Sequence, residues 1–143
     1  MQRSDFEIMA PAGSRETLAA ALQAGADSVY FGIGALNMRA HSAGGFTIDD
    51  LNEIAALCRE HGAKSYLTVN TVIYDGDLAA MREIVSAAKA AGVSAVIASD
   101  VAVMQCCREL GVEVHLSTQL NIANVEAPVS YTPLRAHETE LHL

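Results

Sequence analysis

Tryptophan is absent from the 143-residue chain, and aromatic residues make up only 5% of it. Basic residues are also few, with 9 Lys and Arg against 17 Asp and Glu, and the formal net charge is −8. Non-specific nucleic-acid binding needs cations that neutralise phosphates, so this balance disfavours it for the part of a protein covered here. No stretch approaches the roughly 18 apolar residues of a membrane helix, and the N-terminus does not resemble a signal peptide. We expect a cytoplasmic location and no membrane partner.

Cysteine is scarce too, and the three cysteines lack the spacing of a disulfide framework. Cys58 and His61 are predicted to lie on the surface at a helix end, and Cys106 and Cys107 to pack within a helix. No metal site is predicted from these residues. The hydrolase patterns G-x-S-x-G and H-E-x-x-H are also missing. The sequence therefore identifies no catalytic residue.

What the chain does contain is a repeated unit of a short apolar strand followed by an amphipathic helix. With 51% hydrophobic and 18% charged residues, the composition is that of a globular protein. Glycines follow the predicted helices, as is common just past a helix end. The predicted strands are 6–10, 28–31, 65–69, 95–98 and 112–116, and the predicted helices are 15–24, 47–61, 78–91 and 101–110.

This alternation predicts an α/β fold with a parallel sheet covered by helices. A (β/α)₈ TIM barrel needs about 250 residues, so five strands and four helices would be a truncated barrel. An open doubly wound parallel sheet is the alternative. The pattern stops at Ala127, which predicts a barrel-like domain over residues 1–127 and a disordered tail over residues 128–143.

The tail has no apolar periodicity and contains two of the three prolines. Its sequence PVSYTPLRAHET resembles the conceptual translation of a transposon-based sequencing adapter. We therefore expect residues 128–143 to be non-native, and they are left out of the predicted fold and site. A native C-terminal extension is the alternative.

Polar residues gather where the predicted strands end, which is where α/β folds place their function. Many such residues cap helices or satisfy loop backbones. Asn70 follows an apolar strand, and Arg39, in the longest loop, could bind a carboxylate or phosphate with two hydrogen bonds. His115 alternates with apolar neighbours and is expected to point into the barrel. The predicted substrate-binding residues are Asn37, Arg39, Asn70, Gln119 and Asn121.

Five segments in this order and spacing resemble the amino-terminal part of the collagenase-like peptidase family U32. They are APAGS at 10–14, DSVYFG at 27–32, NMRA at 37–40, LTVNT at 67–71 and STQLN at 117–121. The resemblance covers residues 6–127. It implies a barrel fold and, for the full-length protein, peptidase activity.

The resemblance also leaves a second and a third hypothesis open. Some family members are associated with oxygen-independent hydroxylation of RNA bases or ubiquinone precursors, using a 4Fe–4S cluster held by four downstream cysteines. On that hypothesis the full-length protein would act on RNA or a small molecule instead of a peptide. The three cysteines here match none of those ligands, so no cofactor is expected in this segment. In the third hypothesis the truncated fragment is inactive.

Overall fold

The computed structural model describes residues 1–38 and 45–132. Five strands alternate with four helices, and a fifth, short helix follows. The strands are β1 (Met9–Pro11), β2 (Ser28–Gly32), β3 (Lys64–Val69), β4 (Ala95–Ala98) and β5 (Val114–Leu116). The helices are α1 (Arg15–Gln23), α2 (Leu51–Glu60), α3 (Leu78–Ala91), α4 (Val101–Leu110) and α5 (Glu126–Tyr131).

The sheet is parallel throughout, and its strand order is β1-β2-β3-β4-β5. A doubly wound sheet reverses its strand order at a switch point, and this sheet has no reversal. Because crossovers between parallel strands are right-handed, sequential strands put all their helices on one face, as in a barrel. The structure therefore has the first part of a TIM-like barrel, and the doubly wound alternative is wrong.

The core lies between the helices and the outer face of the sheet. Alternate strand residues such as Val29, Phe31 and Leu67 point towards the helices and are fully buried. The intervening residues, including Tyr30 and Ile97, point to the opposite, inner face and line an open cleft. No helix in the described ranges is long and apolar enough to cross a membrane.

Helices α3 and α4 end in the same way, with a left-handed glycine and a cation from the preceding helix. Gly92 has φ +75° and Gly111 has φ +68°, a conformation that costs glycine little. The Arg59 guanidinium donates to the carbonyl of Ala91 at 3.1 Å, and Lys89 Nζ donates to the carbonyl of Gly111 at 2.9 Å. Positive charge at a helix C-terminus is stabilising, so each helix helps to terminate the next.

Three predicted elements begin later in the chain than the sequence pattern indicated, and one of them is β5, which begins at Val114 instead of residue 112. The first strand starts at Met9 instead of residue 6. The backbone N–H of Ile8, just before it, donates to the Asp27 carboxylate at 2.7 Å instead of to a neighbouring strand. Helix α2 is preceded by a 3₁₀ turn, Ile48–Asp50. The predicted cap nevertheless forms, since the backbone N–H of Thr47 donates to Asp50 Oδ2 at 2.7 Å.

Helix α5 crosses the predicted boundary at Ala127, so residues 128–131 are helical and the predicted disorder is wrong for them. Asn124 explains the helix start, since its Oδ1 accepts from the N–H groups of Glu126 and Ala127 at 3.1 and 3.2 Å. Pro128 lies in the first turn, where its missing N–H costs nothing. Residues 133–143 of the tail lie outside the described ranges, and its non-native origin stays a prediction.

Candidate functional site

A cleft of about 510 Å³ opens on the inner face at the C-terminal ends of the strands. Its lining is part apolar and part neutral polar, with no Asp, Glu, Lys or Arg among the described residues that form it. The alternation of β2 and β4 could have indicated Tyr30 and Ile97, which the sequence analysis did not single out. The lining residues are Met9, Tyr30, Met38, Thr68, Asn70, Ile97, His115, Leu116, Ser117, Thr118 and Gln119.

Asn70 and Gln119, two of the predicted site residues, meet in this cleft. Asn70 follows β3, and its Oδ1 accepts the backbone N–H of Met38 at 3.2 Å. Its Nδ2 donates to Gln119 Oε1 at 3.3 Å. The side-chain amide of Asn70 therefore links the loop after β2 to the turn after β5.

The turn after β5 is a 3₁₀ turn, Thr118–Leu120, that presents Gln119 to the cleft. Ser117 is buried, and its hydroxyl donates to Gln119 Oε1 while accepting the backbone N–H of Gln119 at 3.3 Å. Asn121 lies outside the cleft. Its φ is +51°, and its Nδ2 donates to the Gln119 carbonyl at 3.3 Å, so it ends the turn that presents Gln119.

Asn37, also predicted for the site, lies behind the cleft instead of lining it. The side chain is 4% exposed, and Nδ2 donates to the carbonyls of Ile33 and Gly34 at 3.2 and 3.1 Å. Its amide packs on Gly32, where an added Cβ would be 2.3 Å from Asn37 Cγ. Asn37 thus fixes the course of the loop after β2. Arg39, from the same prediction, lies outside the described residues.

His115 points to the inner face, as predicted, and lies below the polar mouth of the cleft. Its ring is 4.8 Å from the ring of Tyr66, and its Nε2 is 2.8 Å from Glu113 Oε1. The Tyr66 hydroxyl donates to Glu7 Oε1 at 2.7 Å. Burial, followed by the hydrogen bond to Glu7, raises the pKa of Tyr66, so its phenol stays protonated.

These contacts do not form a hydrolytic pair. A nucleophile needs a base within hydrogen-bond reach, and the two buried hydroxyls of the cleft, those of Thr68 and Ser117, bond elsewhere. Thr68 donates to the Phe31 carbonyl at 3.0 Å, and Ser117 donates to Gln119. Neither of these two hydroxyls therefore contacts a base.

The cysteines do not fit an iron–sulfur cluster. All three are buried, and they lie in α2 and α4, so the predicted surface position of Cys58 is wrong. Burial raises the pKa of Cys58 to about 11 and that of Cys107 to about 12, which disfavours the thiolate a metal requires. Among residues 1–38 and 45–132 no group of three or more His, Cys, Asp or Glu could hold a metal ion.

Comparison with known proteins agrees with the fold. A family profile described as peptidase family U32 matches residues 13–136. A collagenase of Porphyromonas gingivalis is 66% identical over 127 residues, which are 89% of this chain and 31% of the relative. A tRNA hydroxylation protein P1 of Bacillus subtilis is 34% identical over 123 residues, 85% of this chain and 29% of the relative.

A solved structure of a U32 peptidase superposes with a TM-score of 0.71 at 12% identity, covering 91% of this chain and 56% of that one. This likeness supports the barrel architecture. The chain spans about a third of the length of these curated relatives, 31% of the collagenase. The profile match also extends past Ala127 into the predicted tail.

Proposed function

The chain belongs to peptidase family U32, and we propose that the protein containing it cleaves peptide bonds, with this segment forming one wall of the substrate cleft. The closely similar collagenase, at 66% identity, makes a collagen-type chain the first substrate to test. This segment would bind and orient the peptide. The reacting groups would come from other parts of the protein, because the buried Thr68 and Ser117 hydroxyls of the cleft donate to the Phe31 carbonyl and to Gln119 instead of a base.

The observation that carries this proposal is the neutral cleft. Nucleic-acid affinity depends largely on Lys and Arg at phosphates, and no described residue lining the cleft is Lys or Arg. A peptide backbone is uncharged and carries carbonyl and N–H groups. The side-chain amide of Gln119, which lines the cleft and is exposed, suits such a ligand. Three buried thiols without a disulfide suit the cytoplasm, where we place the protein.

The test uses the intact gene product that contains this segment, beside the 143-residue chain, with gelatin and acetylated collagen-type peptides as substrates. New peptide N-termini are identified by mass spectrometry. We expect the intact protein to cleave and the 143-residue chain not to, as in the inactive-fragment hypothesis. In the intact protein, Asn70→Ala is expected to lower kcat/KM, whereas the control Asn52→Ala, on the exposed face of α2, should not. An intact protein that cleaves neither substrate would overturn the proposal.

A second candidate is oxygen-independent RNA hydroxylation, and one observation favours it. The buried Thr68 and Ser117 hydroxyls of the cleft contact no base. The relatives with 30–34% identity include the B. subtilis tRNA hydroxylation protein and a 23S rRNA 5-hydroxycytidine synthase of Escherichia coli. A 4Fe–4S cluster would have to be held outside this segment, since Cys58, Cys106 and Cys107 do not fit one.

Deleting the gene separates the two candidates. If the second is correct, hydroxylated nucleosides measured by mass spectrometry of total RNA fall in the deletion strain. The full-length protein would then contain iron and sulfide. An unchanged nucleoside profile would reject this candidate and leave the peptidase proposal in place.

A further inference from the structure

The orientation of the Asn70 and Gln119 side-chain amides follows from their position relative to the backbone N–H of Met38. A backbone N–H can only donate, so the atom of Asn70 that faces the N–H of Met38 at 3.2 Å must be its oxygen. Asn70 Nδ2 therefore faces Gln119, and the atom that it meets there at 3.3 Å must be Gln119 Oε1. This sequence of bonds removes the usual ambiguity between O and N in a side-chain amide.

The hydroxyl of Ser117 reinforces the same orientation by donating to Gln119 Oε1. Both oxygens of the amide pair are thus used inside the protein. Gln119 Nε2 is the group left over, and no residue in the described ranges accepts from it. The side chain is exposed and lines the cleft, so its two N–H bonds are available to a ligand.

A Gln119 side chain whose oxygen already accepts two hydrogen bonds and whose N–H bonds are free selects an acceptor ligand. We propose that Gln119 is a specificity-determining residue that donates from Nε2 to a carbonyl oxygen of the bound peptide, with Ser117 and Asn70 holding it in that orientation. The proposal rests on the peptide function proposed above. It adds the direction of the hydrogen bond: at Gln119 the protein donates, so the cleft binds a carbonyl oxygen of the peptide there and not an N–H group.

The test measures binding to the 143-residue chain by NMR, using backbone amide signals of the cleft residues in every variant and the side-chain amide signal of Gln119 in the wild type. One probe is an acetylated and amidated Gly-Pro-Ala peptide, and the other is cytidine, which carries a carbonyl on a base. Gln119→Glu keeps the oxygen that Ser117 and Asn70 bind and replaces only the free NH₂ by a second oxygen. Gln105→Glu, on the exposed face of α4, makes the same charge change away from the cleft.

We expect the peptide to shift the Gln119 signal and Gln119→Glu to weaken peptide binding at least about two- to tenfold, the effect of one lost hydrogen bond. Gln105→Glu should bind like the wild type. Asn70→Asp gives a second, independent test without altering Gln119. Its new carboxylate oxygen would attract Gln119 Nε2 and turn it away from the ligand, so binding should weaken similarly. The thermal unfolding midpoint of each variant is measured first. Only variants with the wild-type midpoint are compared, so that a folding defect is not counted as lost binding.

The outcomes separate the two proposals. Peptide binding that is equally strong in the wild type, Gln119→Glu and Asn70→Asp would overturn the role of Gln119 and leave the peptide function standing. Cytidine binding without peptide binding would overturn the peptide function and this inference with it. A wild-type chain that binds neither probe at millimolar concentration would overturn the inference alone, because cleavage by the intact protein is measured separately.

Discussion

Replacing Gly32 by alanine tests how the loop beside the cleft is held. The new methyl group would lie 2.3 Å from Cγ and Oδ1 of Asn37 and 2.7 Å from its Nδ2. Carbon atoms in ordinary contact are about 3.5–4.0 Å apart, so the Asn37 side chain must move. It is buried and donates two hydrogen bonds, to the carbonyls of Ile33 and Gly34.

The cost can be bracketed from two sides. Overpacking a filled site costs about 1–3 kcal/mol, and two lost hydrogen bonds cost about 0.5–1.5 kcal/mol each. Moving Asn37 relieves the overpacking, so the two costs do not add fully. We expect Gly32→Ala to lower the free energy of unfolding by about 2–3 kcal/mol. With a urea m-value of roughly 2 kcal/mol/M, the midpoint falls by about 1 M.

The assay is urea unfolding of the 143-residue chain followed by circular dichroism, with Gly13→Ala as the control. A Cβ at Gly13 would meet no atom within 4 Å, so this change should stay within about 0.5 kcal/mol. A double-mutant cycle then isolates the contact, because Asn37→Ala removes the atoms with which the methyl group collides. If Gly32→Ala costs as much with Ala at position 37 as with Asn, the collision is not the cause and the reasoning fails.

Three further predictions concern stability and thiol chemistry. Arg59→Met removes the bond to the Ala91 carbonyl and should destabilise the chain by about 1 kcal/mol in urea unfolding; an unchanged midpoint would show that the cap contributes nothing. The backbone N–H of Ile8 holds the pKa of Asp27 below its usual 3.8. Asp27 therefore stabilises the chain above about pH 3.8, and this contribution is lost as the pH falls through the folded-state pKa. Asp27→Asn should flatten the acid limb of a stability–pH profile, and an unaltered limb would contradict the assignment. Burial raises the pKa of Cys107 to about 12, so a disulfide reagent at pH 8 should label it only after unfolding; rapid labelling of the native chain would contradict its burial.

Much of the fold could be predicted because the residues that end its helices and strands lie next to those ends in the sequence. The predicted limits of α3, β4 and α4 match the observed ones, since a left-handed glycine or a short apolar strand marks each end. The start of β1 could not be predicted, because it depends on the Asp27 carboxylate 19 residues away from Ile8. Cys58 was predictable in principle. It follows Leu51 by seven residues, at the spacing of a buried helical face.

The sequence predicted which positions belong to the site, but it did not predict which of their side chains contact one another. Asn70 and Gln119 belong together because β3 and β5 flank β4, and all three strands end level, with Ala98 paired to Val69 and to Leu116. Their side chains meet across the end of β4 although 49 residues separate them. Asn37 was predicted for the same reason, because it is a polar residue that follows an apolar strand. Its side chain nevertheless points away from the cleft and donates to two backbone carbonyls of its own loop. Sequence alone does not distinguish the two directions, because the direction depends on whether a neighbouring backbone carbonyl is free to accept.

The inner face itself indicates how the cleft would work in the complete barrel. A parallel sheet is normally covered on both faces, and here the helices cover only the outer one. In a complete (β/α)₈ barrel, side chains of further strands would cover Tyr30 and Ile97 in the packed interior. A peptide would then lie over the strand ends, at Asn70 and Gln119. On the peptide proposal, Gln119 would bind its carbonyl oxygens from one side, and the reacting groups would approach from the other. The residues for chemistry are therefore to be sought opposite Gln119, on strands that follow β5.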